Sequence, residues 1–495
     1  MTETGPSRER SADSYWLTRF DLKTQYDAIV VGSGPNGLAA AITLAKERLS
    51  VLLIEGRKEL GGGVRSEELT LPGFVHDTCS AIHPLALASP FFQSLDLGAL
   101  GLDWIQPDLP LAHPLDQGEA ACLHRSLDLS AKGFGSDHDR YQSTIKLFAQ
   151  NSEALMAEVL QPLPHWPDRP GLLAEFGMLA LQSAHRFSCR YYEQAATRAL
   201  FAGMAAHSFL SLRQPASAAT GLILNILAHS VGWPLPCGGS GKITEALSKY
   251  FQALGGTIQT NNYVTNIDEL PKARAILFDV SPRQLLSIAG HRFPERYREA
   301  LTRYQYGPGV FKADYALSSP IPWSNPDCHR AGTIHVGGTL EEITASEEDV
   351  IGGTHPQKPF VLVAQPSRFD ASRAPAGRHT AWAYCHVPAG STFDMAERME
   401  KQIERFAPGF RDCILKKTTK TCRDLEASNP NLVGGDINGG RANLKQLLIR
   451  PVLSSNPYKT PLKGVYLCSA STPPGGGVHG MCGSNAARHA LRAIF

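Results

Sequence analysis

The hydrophobic pattern changes character along the chain. Tyr26–Val31 (YDAIVV) is a continuous apolar, β-branched run, and SVLLIE, Ser50–Glu55, is a second. Such runs read as strands of a parallel sheet buried on both faces. Between them LAAAITLAKE, Leu38–Glu47, combines strong helix formers with a small-residue face. The opening is therefore β-turn-α-β. In the middle, residues 100–225 show no βαβ order. Apolar spacing near 3.6 predicts a helix over 140–160, and helical patterns recur around 171–187 and 192–212. Pro162, Pro164, Pro167 and Pro170 separate the first of these from the second. The region reads as a helical insertion.

A Gly-rich turn after GWPLPC enters a helix over Ile243–Leu254. GTIQTNNYVTNID then predicts two short strands, and ARAILFDVSP a further buried strand that returns the chain to the first domain. Period-2 alternation in GVFKADYALS, TIHVGG, FVLVAQPS and HTAWAYCHVP predicts an antiparallel sheet covered on one side. MAERMEKQIERFAP, from Met395, reads as an amphipathic helix. At the end, GVYLCS is a strand, Pro473–Gly477 a tight turn, and the segment from Val478 an Ala-rich helix. The predicted class is α/β. A discontinuous Rossmann-like domain takes 25–100, 230–290 and 425–495. An α+β substrate domain, with the antiparallel sheet and helical insertion, takes 101–229 and 291–424. Residues 1–24 are a polar extension.

Composition narrows this further. With 495 residues, 43% apolar and 19% charged, the chain can bury a large core, which excludes global disorder. The charge balance of 48 − 46 = +2 gives no support for a nucleic-acid binder. Ten scattered cysteines form no C-x-x-C pair, which argues for reduced thiols, against structural zinc and for no metal site. The N-terminus lacks the apolar core of a signal peptide, and its acidic residues disfavour a transit peptide. No uncharged apolar stretch reaches the ~18 residues of a membrane span. A cytoplasmic protein is expected. The apolar stretches 176–181 and 199–212 are candidates for peripheral membrane contact or, around Ala199–Met204 with Phe209 and Leu210, for a tunnel wall.

The candidate chemistry begins in the first turn, Gly32-Ser33-Gly34-Pro35-Asn36-Gly37, which matches G-x-G-x-x-G. Gly32 permits the tight turn, Gly34 lets a pyrophosphate approach the backbone, and Gly37 lets helix and strand pack closely. The free N–H groups of the helix start face the phosphate charge. Glu55 ends the second strand, where a carboxylate accepts from a ribose diol and repels a 2′-phosphate. Beyond it, Gly61-Gly62-Gly63, Val64 and Arg65 offer flexible backbone and a cation to a ligand longer than NAD, namely FAD. Val264 sits where backbone can touch the adenine edge. Gly238–Lys242 imitates a phosphate-binding loop but fails, because Pro236 stands where the first Gly belongs and Ile243 follows the Lys. The terminal strand, Gly turn and helix, with Ser469, Gly477 and Val478, is a second anion-binding arrangement that finishes the flavin site. Candidate catalytic residues are His479 after that turn, His83 after the arginine loop, Trp233 as a wall beside the flavin, and Asp436 and Asn438 in the loop NPNLVGGDINGG.

The front block YDAIVVGSGPNGLAAAITLA…VLLIEGRKELGGGVRSEE and the terminal block VYLCSASTPPGGGVHGM resemble the phytoene desaturase and carotenoid isomerase group of flavoproteins. The segments GWPLPCGGSG and NPNLVGGDINGG are similar to its pyridine nucleotide-disulphide oxidoreductase domain-containing protein 2 type. The resemblance implies noncovalent FAD along Gly32, Gly34, Gly37, Glu55, Gly63, Arg65, Val264 and the 469–481 segment. It also implies an apolar, isoprenoid or polyene substrate that loses hydride to the flavin or isomerises over it. Related amine oxidases place an acid where this chain has Ala470. Cys468 and Cys482 lack the Ser-Gly-Cys context of flavin attachment and read as packed thiols. Without C-x-x-C, disulphide reductase activity is excluded. An amine oxidase-like enzyme is the alternative, and it requires an aromatic pair flanking the flavin that the sequence does not locate. A flavin-bound assembly factor is the other.

Overall fold

The structure is a computed structural model that describes residues 25–162 and 165–495. The polar extension expected at 1–24 and the predicted linker residue Pro164 lie outside the described residues.

The two apolar runs at the front pair as expected. Gln25–Val31 and Val51–Ile54 are the centre of a five-stranded parallel sheet, flanked by Lys272–Phe278 and Val465–Leu467 on one side and Thr257–Gln259 on the other. Strands from the front, middle and end of the chain thus meet in one sheet. The helix Pro35–Ala45 covers one face and packs against the C-terminal helix Met481–Ile494. Their approach is close enough that a Cβ on Gly483 would stand 1.7 Å from the Asn36 carbonyl. That contact docks the C-terminus beside the glycine turn. Only one strand forms where two were expected after Gly256. Residues 260–266 leave the sheet, and Ile267–Glu269 close a short 3-10 turn.

The second sheet has seven strands: Ile414–Lys420, Gly309–Leu317, His379–Val387, Val361–Ala364, Ala331–Val336, Leu109–Pro114 and Ala120–Leu123, in that spatial order. Every pair is antiparallel except Ala331–Val336 with Leu109–Pro114. The last two strands come from the region read as a helical insertion, where no strand was expected. The expected single covered side is also corrected. Ile334, Val361, Val363, Ala383 and Cys385 meet Met399 and Ile403 of the helix Ala396–Phe406 on one face. The alternate positions Thr333, His335, Leu362, Trp382, Tyr384 and His386 are mostly polar or aromatic, yet all are buried. They face a helical layer and a cavity, not solvent. Period 2 reported the two faces correctly, but polarity did not report exposure.

The helical layer is Leu127–Gly133, His138–Gln150, Ser152–Val159, Pro170–Ala180, Ala184–Tyr191, Ala195–Ala206 and Ser217–Ser230. The single helix expected over 140–160 breaks at Asn151, whose φ of −117° and ψ of 28° leave the helical region. Ala199–Met204 are all buried, so this stretch is core and cannot enter a membrane surface. No helix among the described residues is long and apolar enough to cross a membrane.

Candidate functional site

The glycine turn is shaped by what its glycines touch. Gly32 adopts φ +101°, and a Cβ on Gly37 would lie 2.0 Å from the Gly32 carbonyl. Glu55 anchors the turn: its Oε2 accepts from the Ser33 amide at 3.1 Å and the Ser33 hydroxyl at 2.5 Å, and its Oε1 accepts from the Arg57 amide at 3.0 Å. The Ser33 hydroxyl in turn accepts from the Gly61 amide at 3.1 Å, which ties the second glycine loop to the first. Asp279, at the end of the strand beside Gln25–Val31, accepts from the Gly37 amide at 2.8 Å. Burial pushes its carboxyl up to about 7, with the nearby Glu55 charge adding to the effect.

One cavity of about 430 Å³ runs past this turn. Of the predicted cofactor residues, Gly32, Ser33, Gly34, Pro35, Asn36, Glu55, Gly62, Gly63, Val64, Arg65, Val264, Ser469, Gly477 and Val478 line it. Gly37 does not; its amide is turned to Asp279. The donors suit a dinucleotide pyrophosphate. Arg65 lines the cavity with a largely buried side chain, its one ion pair among the described residues is a 3.7 Å contact to Glu67, and its Nε has no partner among them. A largely buried guanidinium with an unmet donor is poised for an anion. Asp279 at the helix start works against a second negative charge unless it is protonated.

The predicted catalytic residues divide. His83, Trp233 and Asn438 line the cavity; Asp436 and His479 do not. Asp436 is buried and accepts from the amides of Gly307 and Asn438, each at 2.7 Å, so it braces the loop that presents Asn438. Burial raises its pKa. His479 is held at both ring nitrogens: Nε2–H donates to the Gly475 carbonyl at 3.1 Å, and Nδ1 accepts from the Met481 amide at 3.0 Å. It clamps the terminal glycine turn onto the helix start, and burial holds it neutral, down to about 4. Trp233 donates from Nε1 to the Thr333 hydroxyl at 2.8 Å, which fixes it as a wall. His83 Nε2 pairs with the Ser240 hydroxyl at 2.8 Å. Cys468 and Cys482 are buried and do not line the cavity.

Several site residues carry no local sequence signal. Trp382 and Tyr384 alternate on one strand, form an edge-to-face pair with centroids 5.1 Å apart, and both line the cavity. Behind Trp382 lies a sealed ionic cluster. Lys312 pairs with Asp314 and stands 5.9 Å from the Trp382 ring centre, His76 lies 3.7 Å from Asp314, and Asp77 pairs with Arg373 at 2.8 Å. All five charged or titratable residues are essentially buried. His207, Leu224 and Leu362 complete the far wall together with Phe209, the one member of the expected tunnel wall that lines the cavity; Ala199–Met204 and Leu210 do not.

Comparison with known proteins agrees with this geometry. Residues 30–95 match the NAD(P)-binding Rossmann-like domain. The chain is 28% identical over 96% of its length to "Pyridine nucleotide-disulfide oxidoreductase domain-containing protein 2" of Rattus norvegicus, spanning 94% of that protein. A segment of 133 residues, 26% of this chain and 24% of the relative, is 29% identical to a limonene dehydrogenase polypeptide of Castellaniella defragrans. Putrescine oxidase bound to putrescine superposes with a TM-score of 0.61 at 17% identity, covering 95% of this chain and 99% of that one. The chain thus has a Rossmann-like dinucleotide-binding domain within an amine oxidase-like fold. It is homologous along nearly its whole length to pyridine nucleotide-disulfide oxidoreductase domain-containing protein 2.

Proposed function

We propose that the chain binds FAD noncovalently and is an oxidoreductase of the phytoene desaturase-like kind. Its substrate is apolar, an isoprenoid or polyene, and the reaction is desaturation or flavin-assisted isomerisation. One observation carries the reading: the dinucleotide cradle and an apolar chamber walled by Leu85, Phe209, Leu224, Leu362 and Tyr384 are parts of a single cavity. The partial relative named for limonene, an isoprenoid, supports the isoprenoid part of the substrate class. FAD, when bound, supplies the hydride acceptor. Glu55 would take the ribose diol; Arg65 and the helix start would take the pyrophosphate. The chamber walls exclude water and hold the substrate by burial. Trp233, pinned by Thr333, limits how far it moves.

The test is anaerobic. The flavin band of the purified protein is followed on adding a polyene-rich lipid extract and, separately, a mixture of amines. Bleaching by lipid alone is expected for desaturation. A protein without a flavin band overturns the reading.

Trp382 and Tyr384 favour an amine oxidase-like second reading, because they supply the aromatic pair it requires. Against it, the carboxylates that line the cavity, Glu55, Glu59 and Asp279, belong to the cradle, and none stands in the chamber to meet an ammonium. Bleaching by amines decides for it.

We assign peripheral membrane contact to the stretch around Trp166, Met178 and Leu181, which are 93%, 68% and 55% exposed. Flotation with vesicles, lost when all three become Ser, is the expected outcome. Wild-type protein that does not float overturns it.

A further inference from the structure

The chamber wall contains a histidine whose proton can be located. His207 follows the helix Ala195–Ala206 and lines the cavity. Its Nε2 lies 3.0 Å from Nε2 of His335. One hydrogen occupies that contact, so one ring donates and the other accepts.

Burial decides which. It drives His207 down to about 3 and His335 well below the usual range, so both rings are neutral and each carries one N–H. His335 is fully buried, and its Nδ1 is sealed with no partner among the described residues. It is packed so closely that a Cβ on Gly203 would lie 2.7 Å from that nitrogen. A proton on His335 Nδ1 would be an orphaned buried donor, a costlier arrangement than a bare acceptor. The His335 proton therefore sits on Nε2 and donates to His207 Nε2. The His207 proton then sits on Nδ1. That nitrogen has no partner among the described residues and is not sealed from solvent.

Phe360 packs edge-on against His335 at 5.4 Å, and Phe209 lies at a tilt against His386 at 4.0 Å. Nδ1 of His386 lies 2.9 and 2.8 Å from the two oxygens of Glu347.

We propose that His207 Nδ1–H is the chamber's recognition group for an uncharged oxygen, so that the substrate is an oxygenated apolar molecule, an alcohol or carbonyl compound, and not a bare hydrocarbon. This rests on the apolar-substrate reading above and narrows it. A neutral donor among Phe209, Leu224 and Leu362 offers nothing to offset a carboxylate's charge, and it opposes an ammonium, which is itself only a donor.

The test uses FAD-loaded protein and three detergent-dispersed probes of one skeleton: geranylgeraniol, geranylgeranial and the alkene lacking oxygen. Binding is read from the shift of the flavin absorption band. The wild type is expected to bind the alcohol and aldehyde about tenfold more tightly than the alkene, the worth of one buried hydrogen bond. H207F brings the three within about twofold, and H207Q, which keeps a donor, retains the preference. Equal affinities in the wild type, or a preference that survives H207F, overturn the inference while leaving an apolar-substrate enzyme intact. A flavin-loaded protein that binds none of the probes overturns both. Should H207F lose its flavin, the wild-type series and H207Q decide alone.

Discussion

The carboxylate of Asp279 accepts from the amide of Gly37 at 2.8 Å, although the two residues are 242 positions apart. An acid at the end of the strand Lys272–Phe278 thus sits at the helix start that the dinucleotide turn leads into. From that position follows the expectation that cofactor affinity depends on pH.

Asp279 is raised from 3.8 to about 7, chiefly by burial. A raised acid contributes stability that is full below 3.8 and is lost as pH rises through about 7. A pyrophosphate beside it favours the protonated form further. FAD is expected to bind several-fold more tightly at pH 6 than at pH 8, as measured by titrating apoprotein. D279N should flatten the profile while keeping the acceptor for Gly37. An unchanged slope in D279N removes Asp279 from the effect.

Two glycines separate cofactor loss from packing loss. Gly37→Ala places its Cβ 2.0 Å from the Gly32 carbonyl, and Gly483→Ala places one 1.7 Å from the Asn36 carbonyl. Both clashes are with backbone, so each should cost about 1–3 kcal/mol or more. G37A distorts the turn itself and should lose FAD. G483A should lower the melting temperature with a smaller loss of FAD at temperatures where it is folded. Equal FAD loss in both would show that the turn depends wholly on the helix pair.

The buried histidines set the acid limit. His83, His113 and His479 are lowered to about 4 and His207 to about 3, each by burial first. A depressed group contributes stability that is present above 6.5 and is lost as pH falls through the folded value. Each contributes at most ~1.4 kcal/mol per pH unit across that window. Denaturant midpoints should therefore drop steeply between about pH 6.5 and 4, opposite in sign to Asp279. His479→Ala also breaks two buried hydrogen bonds and should cost about 2–4 kcal/mol, with turnover of the folded, FAD-loaded variant near wild type. A variant of normal stability that has lost turnover would instead make His479 catalytic.

Lys312 and Asp314 form a sealed pair behind Trp382. Lys312→Met leaves Asp314 buried with only His76, at 3.7 Å, beside it, and should cost about 3–5 kcal/mol. The double variant K312M/D314L should recover most of that. If it does not, Lys312 has a further partner in the His76, Asp77 and Arg373 cluster. Thermal melts of the three proteins decide.

The cradle can be read from adjacent residues alone. Gly32, Gly34, Gly37 and Glu55 are legible because a strand, a turn and a helix start are local, and the steric demands of the turn are written in neighbouring positions. The two sheets were legible from hydrophobic period, apart from the strands at Leu109–Pro114, Ala120–Leu123 and Ile414–Lys420. Leu109–Pro114 and Ala120–Leu123 form a local hairpin, but it joins the sheet only through Ala331–Val336, and Ile414–Lys420 joins only through Gly309–Leu317, both distant in the chain. Side-chain direction was not legible. His479 and Asp436 sit in the right segments, yet they point into backbone clamps instead of the cavity. The tertiary structure brought Asp279 to Gly37, His207 to His335, and Lys312 behind Trp382. Each pairing depends on strand register and on helices that cross from other parts of the chain. The polar face of the second sheet shows the same division. Its alternation is visible in the residues, but whether that face meets water or a cavity is settled by what folds over it.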